Sequence, residues 1–215
     1  MMLDPARFIA AHTRIGSTPL VPELRFHLAD DAYDVWEESE EALGEQGLPP
    51  PFWAFAWGGG QALGRYLLDH PKVAQGKQVL DFGCGCAVAG IAAAKAGAAH
   101  VLATEIDAFA VAAAQTNAAL NGVSMEVIEA DIIGEDRGWD LVLAGDVFYE
   151  AGPGSRIASW LHGLAKRGAT VLIGDPGRHF LPRDRLEIVA RFDAETDREL
   201  EDKDVALAKV WRFRP

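Results

Sequence analysis

The stretch VLDFGCGCAVAG combines a carboxylate with closely spaced glycines. Asp81 follows an apolar pair, Gly83 and Gly85 come directly after it, and small residues able to begin a helix complete the stretch. Glycines spaced in this way let a backbone approach a ligand closely, as in the dinucleotide-binding pattern G-x-G-x-x-G. Val88 stands where that pattern has its third glycine, and the next glycine is Gly90. The loop therefore predicts a ligand site, but it matches the NAD-binding pattern only in part because the third glycine is missing.

The carboxylate of Asp81 favours a cationic ligand over a pyrophosphate. A pyrophosphate at a helix N-terminus is bound by backbone N–H groups, and a nearby anion would repel it. S-adenosylmethionine carries both an ammonium and a sulfonium group, which a carboxylate attracts. We therefore expect S-adenosylmethionine as the cofactor, with Asp81 facing it, and an NAD-dependent oxidoreductase is the weaker interpretation.

Two more carboxylates stand where predicted strands end. Glu105 closes the second predicted strand of the sheet, and Asp131 follows the third in IEADI. An acidic side chain at the first position can accept both ribose hydroxyls, a placement shared with NAD proteins. Asp131 is placed to accept a hydrogen bond from an adenine amino group. Either carboxylate could instead cap the following helix, so both alternatives stay open here.

Charge and cysteine content exclude several classes of protein. The net charge is −12 and the predicted pI is near 4.9, which argues against a nucleic-acid partner because phosphate binding needs a basic surface. The same charge suits a cationic cofactor or a lysine-bearing substrate. Cys84 and Cys86 have no second pair to complete a zinc site, so no metal is expected.

From residue 61 onward, predicted strands alternate with predicted helices. The strands are predicted at 78–83, 100–106, 124–130, 139–146 and 169–175, and the helices at 61–70, 87–97, 108–122 and 155–168. This alternation predicts an α/β fold with a doubly wound, mostly parallel sheet. Because ligands bind beyond the carboxyl ends of such strands, the candidate residues should meet at one edge of the sheet.

The C-terminal part departs from this alternation. Residues 186–192, LEIVARF, are predicted to be helical, and residues 194–200 and 206–213 are predicted to be two strands. The five residues between these strands allow an antiparallel pair but no crossover helix. The seven-stranded sheet should therefore end in an antiparallel C-terminal hairpin.

The N-terminal part is predicted to be a cap segment, residues 1–60, over a sheet core of residues 61–215 in one domain. Asp4 and Pro5 predict a capped helix start. Residues 22–29 alternate weakly and favour a strand. Residues 48–60, LPPPFWAFAWGGG, should be irregular because three prolines and three glycines bracket an aromatic cluster.

The acidic stretch between these segments, residues 30–47, is predicted to be helix or loop. No apolar run approaches the ~20 residues of a membrane span. The N-terminus has an early acidic residue and no basic start, so no signal peptide is predicted. The expected location is cytoplasmic.

The motifs VLDFGCG, ATEID and EADI resemble those of the class I, seven-β-strand, S-adenosylmethionine-dependent methyltransferases, over roughly residues 50–215. The stretch GDVFY, residues 145–149, resembles the D-x-x-Y/F motif of the protein-lysine methyltransferases called family 16. The tracts PPFWAFAWGGGQALGRYLLDHP and VLIGDPGRHF look like one member type of that family. This likeness implies a protein substrate with a target lysine, the β-subunit of electron transfer flavoprotein.

The resemblance implies roles for individual residues. The implied cofactor-binding residues are Trp57, Asp81, Gly83, Gly85, Glu105 and Asp131. The implied catalytic residues, which would face the substrate amine, are Asp146 and Tyr149. An anion holds the proton on an amine, so Asp146 is expected to orient the amine while the proton leaves through water. Phe148, Tyr149 and the aromatic residues of FWAFAW are candidates for an aromatic wall that favours an approaching cation.

Other functions remain open from the sequence. The same pocket would serve methylation of a small-molecule amine or heterocycle. Methylation of a nucleic-acid base is disfavoured, because the motif is Asp-Val-Phe-Tyr and the surface is acidic. A cofactor-binding module without turnover is the non-enzyme alternative. We expect a monomer, since no long exposed apolar helix or heptad pattern is visible.

Overall fold

The protein is described by a computed structural model, which defines residues 4–30, 34, 37, 50–195 and 205–214. Its helices are α1 Pro5–His12, α2 Gly58–Asp69, α3 Val88–Lys95, α4 Ala108–Leu120 and α5 Ala151–Arg167. Its strands are β1 Arg14–Gly16, β2 Phe26–Leu28, β3 Gln78–Phe82, β4 His100–Glu105, β5 Glu126–Glu129, β6 Leu141–Gly145, β7 Thr170–Asp175, β8 Leu186–Glu195 and β9 Val205–Phe213. Most of the acidic stretch 30–47, and residues 196–200 of a predicted strand, lie outside the described residues.

The main sheet has seven strands in the order β5-β4-β3-β6-β7-β9-β8. The first five of these are parallel, β9 pairs antiparallel with β7, and β8 pairs antiparallel with β9. The prediction of a doubly wound, mostly parallel sheet that ends in an antiparallel hairpin is confirmed. The chain runs outward from β3 to β5 and then returns to β6 on the other side of β3. The carboxyl ends of β3 and β6 therefore flank the crevice where such sheets bind ligands.

Both faces of the sheet are covered, so its central strands are apolar on both sides. Val79 and Leu80 are neighbours in β3 and are both fully buried, yet they belong to different core clusters. Helices α2, α3 and α4 supply the first cluster, and α5 supplies the second. A central parallel strand buried on both faces is expected to be a continuous apolar run rather than an alternating one. No helix in the described part of the chain has the length and apolarity to cross a membrane.

The helix predicted at residues 186–192 is wrong, because β8 runs through this segment. The pairing of β8 with β9 shifts between Ile188 and Ala190, which marks a β-bulge. Leu186 and Ile188 pack against the second core cluster, whereas Ala190 and Phe192 pack against the first. A bulge inserts one extra residue and so interrupts the two-residue alternation of a strand. That interruption is the reason why the segment does not look like a strand in the sequence.

The glycines at the end of LPPPFWAFAWGGG were predicted to be irregular, but they form the first turn of α2. Their lack of a side chain allows the helix to touch the sheet backbone. A Cβ on Gly59 would collide with the carbonyl of Gly174 in β7, and one on Gly145 in β6 would lie 3.1 Å from Gly60. The helix start therefore requires glycine for close contact rather than for flexibility. The prolines before it precede a short 3-10 turn, Phe52–Ala54.

The N-terminal segment packs on α4. Asp4 caps α1 as predicted, with its Oδ1 accepting a hydrogen bond from the Ala6 N–H at 3.1 Å. The weak alternation of residues 22–29 corresponds to the short strand β2, which pairs with β1. Trp53 stacks on Phe109 of α4 with ring centroids 6.0 Å apart. Part of the aromatic cluster thus attaches the N-terminal segment to the core.

Candidate active site

The loop after β3 has the backbone shape that its glycines predict. Gly83 and Gly85 have φ values of 61° and 52°, in the left-handed region, and Ala87 shares it with φ of 64°. A Cβ on Gly85 would meet nothing within 4 Å, so this glycine borders open space. The Gly85 N–H donates to Glu105 Oε1 at 3.0 Å, which ties the loop to the end of β4. The loop therefore presents bare backbone at the predicted ligand site.

Asp81 lies beneath this loop. Its side chain is 2% exposed, and its Oδ2 accepts a hydrogen bond from the Gly90 N–H in α3 at 2.7 Å. A Cβ on Gly90 would lie 2.7 Å from the same oxygen, so this position must be glycine for the helix to lie so close. Burial raises the pKa of Asp81 to about 8, against the lowering effect of the Gly90 hydrogen bond. The nearby Glu105 carboxylate raises it further.

Glu105 occupies the end of β4, as predicted. Its two oxygens accept hydrogen bonds from the Gly85 N–H and the Ile106 N–H, each at 3.0 Å. Burial raises the pKa of Glu105 above its ordinary value, although these hydrogen bonds lower it. The next side chain, Ile106, is 74% exposed and offers an apolar surface beside the carboxylate. Asp131 is exposed, and its Oδ1 accepts a hydrogen bond from the Ile133 N–H at 3.0 Å.

Asp146 follows β6 and adopts a left-handed φ of 54°, which is uncommon for a residue with a side chain. Its Oδ2 accepts hydrogen bonds from the N–H groups of Gly59 and Gly60, at 2.7 and 3.2 Å. Its Oδ1 lies 3.3 Å from Nη2 of Arg178, in the loop after β7. The Asp146 side chain is only 10% exposed. It therefore anchors the N-terminus of α2, a contact that the sequence prediction did not include.

The exposed aromatic residues form a rim beside Asp146. Tyr149 is 54% exposed, and its ring centroid lies 5.6 Å from that of Phe52, which is 42% exposed. Phe52 also packs edge-to-face on Trp57 at 5.7 Å. The guanidinium carbon of Arg178 lies 5.9 Å from the Trp57 ring centroid. We refer to Phe52, Trp57 and Tyr149 as the aromatic rim.

Other aromatic candidates for this wall belong to the core. Phe148 is fully buried, Trp53 is 3% exposed and Phe55 is 9% exposed. Burial raises the pKa of Tyr149, and the Glu150 and Glu105 carboxylates raise it further. Its phenol therefore stays protonated at neutral pH and is not a general base.

Four residues that contribute to the site were missed by sequence reasoning. Arg178 is one of 20 Lys and Arg residues, and nothing in its local sequence marks its contact with Asp146. Gly59 and Gly60 were treated as part of an irregular segment, although the GGG run was visible. Ile106 could have been noticed as an apolar residue directly after a strand-end acid. Within the described residues, no cluster of three or more His, Cys, Asp or Glu side chains could hold a metal ion.

The residues present fit a cofactor that is cationic and carries a nucleoside. Asp81 is buried and Glu105 is half-buried, and burial raises the pKa of both carboxyl groups. A positive charge would stabilise their ionised forms, whereas a pyrophosphate would oppose them. Gly85, with open space where a Cβ would stand, leaves room for close approach. The two carboxylates and the open glycine loop thus suit a ligand that carries an ammonium group, a sulfonium group and ribose hydroxyls.

The fold is shared with solved methyltransferases. The ribosomal protein L11 methylase of Lactobacillus delbrueckii subsp. bulgaricus matches with a TM-score of 0.51 and 20% identity, covering 73% of this chain and 79% of that one. Magnesium protoporphyrin IX methyltransferase from Synechocystis, solved with bound S-adenosylmethionine, matches with a TM-score of 0.53 and 19% identity, covering 73% and 80%. The family model for ribosomal protein L11 methyltransferase (PrmA) matches residues 61–147. The fold is that of the class I S-adenosylmethionine-dependent methyltransferases.

Curated relatives give the family. The electron transfer flavoprotein beta subunit lysine methyltransferase of Xenopus laevis is 39% identical over 98% of this chain and 87% of the relative. The human protein of the same name is 36% identical over 99% of this chain and 84% of the relative. This chain belongs to the family of the electron transfer flavoprotein beta subunit lysine methyltransferases. It is an enzyme whose cofactor is S-adenosylmethionine.

Proposed function

We propose that this enzyme methylates a lysine side chain of the electron transfer flavoprotein β-subunit. The observation that carries the proposal is the match over nearly the whole chain to relatives named for that activity. Such a match includes the regions outside the cofactor-binding part, on which the choice of substrate depends. The acidic net charge of −12 also suits a substrate that presents lysine.

We place the acceptor amine between Asp146 and the aromatic rim. Asp146 Oδ2 accepts from two amides, Gly59 and Gly60, whereas Oδ1 contacts Arg178, and we place the amine beside Oδ1. Tyr149 offers its exposed ring to the approaching cation, a contact that contributes about 0.5–1 kcal/mol at exposed sites and more when desolvated. These side chains orient the amine and exclude water on one side.

The proposed cofactor residues are those that the sequence suggested: Trp57, Asp81, Gly83, Gly85, Glu105 and Asp131. When bound, S-adenosylmethionine supplies an electrophilic methyl group on a sulfonium. The acceptor amine must first give a proton to water. The neutral nitrogen would then be the acceptor of that methyl group, held in place by Asp146 and the aromatic rim. Asp81 and Glu105 would hold the cationic and ribose parts of the cofactor from the ends of β3 and β4.

The test is methyl transfer from labelled S-adenosylmethionine to purified electron transfer flavoprotein, followed by mass spectrometry of the β-subunit. Label on one or a few lysines of that subunit is the expected result. A parallel reaction uses a lysate from a strain that lacks this gene, which offers other proteins and small molecules as possible substrates. Label confined to its small-molecule fraction would contradict the proposal and favour methylation of a metabolite amine. Label on a different protein would contradict the choice of substrate but retain lysine methylation.

Tyr149→Ala tests the aromatic rim. We expect a roughly tenfold lower rate of methyl transfer to protein, corresponding to about 1.4 kcal/mol, with unchanged affinity for S-adenosylmethionine. Ile15→Ala is the matched control, because Ile15 is also an exposed apolar residue, 47% exposed, in the separate strand β1. Equal rates for the two variants would remove Tyr149 from the acceptor site.

The proposed setting is the cytoplasm, with the enzyme acting as a monomer and without nucleic-acid or membrane partners. The acidic charge supports the exclusion of nucleic acid. Light scattering after size-exclusion chromatography tests the monomer, and a stable dimer would contradict it.

A further inference from the structure

Arg178 connects two residues that the sequence suggested for different parts of the site. Its Nη2 lies 3.3 Å from Asp146 Oδ1, and its Cζ lies 5.9 Å from the centroid of the Trp57 ring. Its backbone N–H donates to Asp175 Oδ1 at 2.6 Å, and its carbonyl accepts from Arg183 Nη2 at 3.2 Å. The Asp175 side chain is fully buried at the end of β7. The guanidinium is thus positioned through both its main chain and its side chain.

The contacts of Asp146 place positive charge beside both of its oxygens. Oδ2 accepts from the Gly59 and Gly60 amides at the N-terminus of α2, and Oδ1 lies against Arg178. A helix N-terminus carries roughly half a positive charge. The negative charge of Asp146 is therefore offset by a helix end and by a guanidinium.

The other titratable groups around Asp146 come from three elements of the described chain. Tyr149 and Glu150 lie on its own loop, and the Tyr149 phenol is neutral because its pKa is raised. Asp175 at the end of β7 uses Oδ1 to accept the N–H groups of Gly177 and Arg178. The first turn of α2 contains no acidic side chain. Arg178 brings a cationic side chain into contact with the Asp146 carboxylate.

A lysine amine is a nucleophile only after it has lost its proton, and an uncompensated carboxylate would hold that proton on. We infer that Arg178 is a positioning residue that fixes the Asp146 carboxylate and offsets its charge, which allows the amine to lose its proton while hydrogen-bonded to Asp146. This inference rests on the proposed function, because it needs an amine acceptor. It assigns a role in the reaction to a residue outside the glycine loop and the D-x-x-Y motif.

The test is the pH dependence of methyl transfer in a single turnover, with cofactor and acceptor saturating, for the wild type, Arg178→Gln and Arg178→Lys. Single-turnover rates at saturation report the protonation state of the bound complex. We expect the rate to level off about one pH unit higher in Arg178→Gln than in the wild type, with roughly tenfold loss below the wild-type plateau and a smaller loss above it. Arg178→Lys should restore most of the profile because it keeps the charge.

Arg183→Gln is the control for disturbance of the loop, since Arg183 donates to the Gly177 and Arg178 carbonyls of the same loop. It should leave the shape of the pH profile unchanged. A loss in Arg178→Gln that is equal at every pH, or no rescue by Arg178→Lys, would overturn the inference while leaving the proposed function intact. A wild-type enzyme that methylates no lysine or other amine would refute the proposed function and this inference together.

Discussion

Binding of S-adenosylmethionine is expected to release close to one proton at pH 7, and the proton comes from Asp81. Burial raises the pKa of Asp81 to about 8, so roughly one carboxylate in ten is ionised in the free enzyme at pH 7 and about one in a hundred at pH 6. A cationic cofactor binds the ionised form. Its affinity should therefore rise about tenfold, or about 1.4 kcal/mol, from pH 6 to pH 7. An α-amino group with a pKa near 7.7–8.0 stays largely protonated over this range.

The assay is isothermal titration calorimetry in two buffers with different ionisation enthalpies, which counts the protons released. Asp81→Asn keeps an oxygen that can accept the Gly90 N–H, so the contact between α3 and β3 is retained in this variant. It should bind the cofactor more weakly at pH 7 and lose most of the pH dependence. Glu105→Gln is the matched control: it should keep proton release from Asp81, in a smaller amount because the Glu105 charge that helps to raise the Asp81 pKa is gone. A wild-type affinity that is flat between pH 6 and pH 7, with no proton released, would refute the reasoning.

The same pKa has a consequence for stability in the absence of cofactor. The folded-state pKa of Asp81 lies above its ordinary value of 3.8, so the fold favours the protonated carboxyl. Its contribution to the free energy of unfolding is fully present below about pH 4 and is lost as the pH rises through about 8. Urea denaturation of the wild type and Asp81→Asn should therefore show a difference in stability that changes with pH in this window. A difference that is constant from pH 5 to pH 8 would contradict this assignment.

Two further predictions concern contacts that hold the site together. Asn117→Ala removes the acceptor of the His27 N–H at 2.8 Å and the donor to the Cys86 carbonyl at 3.0 Å. Because two polar groups then lose their partner, the free energy of unfolding measured in urea should fall by about 2–5 kcal/mol. A loss below 1 kcal/mol would contradict this prediction. Gly59→Ala places a methyl group against the Gly174 carbonyl. This variant should therefore lower the free energy of unfolding by about 1–3 kcal/mol and slow methyl transfer. A fully stable and active variant would show instead that α2 can shift away from the sheet.

The sheet and most helices could be predicted because their signals are local. Apolar runs marked the central strands, and helices ended at residues with a preference for left-handed backbone, as at Gly97, Gly122 and Gly168. The strand β8 could not be predicted in the same way. Its alternation is broken at the bulge between Ile188 and Ala190, and its strand character depends on pairing with β9.

The candidate site was predicted where residues stand at strand ends, and it was missed where distant parts of the chain meet. Asp81 and Glu105 follow apolar strands, so their placement at the ligand-binding edge followed from the fold class. The contact of Asp146 with Gly59 joins residues 87 positions apart, and its contact with Arg178 joins residues 32 positions apart. No local pattern encodes such pairs. The sequence therefore indicated which carboxylates were candidates but not which groups hold them in place.

Four of the strand-end carboxylates share one feature that bears on the choice between cofactor binding and a structural role. Each accepts a hydrogen bond from the N–H of a glycine: Asp81 from Gly90, Glu105 from Gly85 and Asp146 from Gly59, which lie in other segments, and Asp175 from Gly177 in the loop that follows it. A glycine lacks the Cβ that would keep a carboxylate oxygen away from its amide, and Gly90 and Gly59 show such a conflict directly. An ionised carboxylate has about four lone-pair sites on its two oxygens, so an oxygen that fixes the side chain can also accept a hydrogen bond from a ligand. Structural capping and ligand binding are therefore compatible roles, and the capping bond reduces the ordering that binding requires.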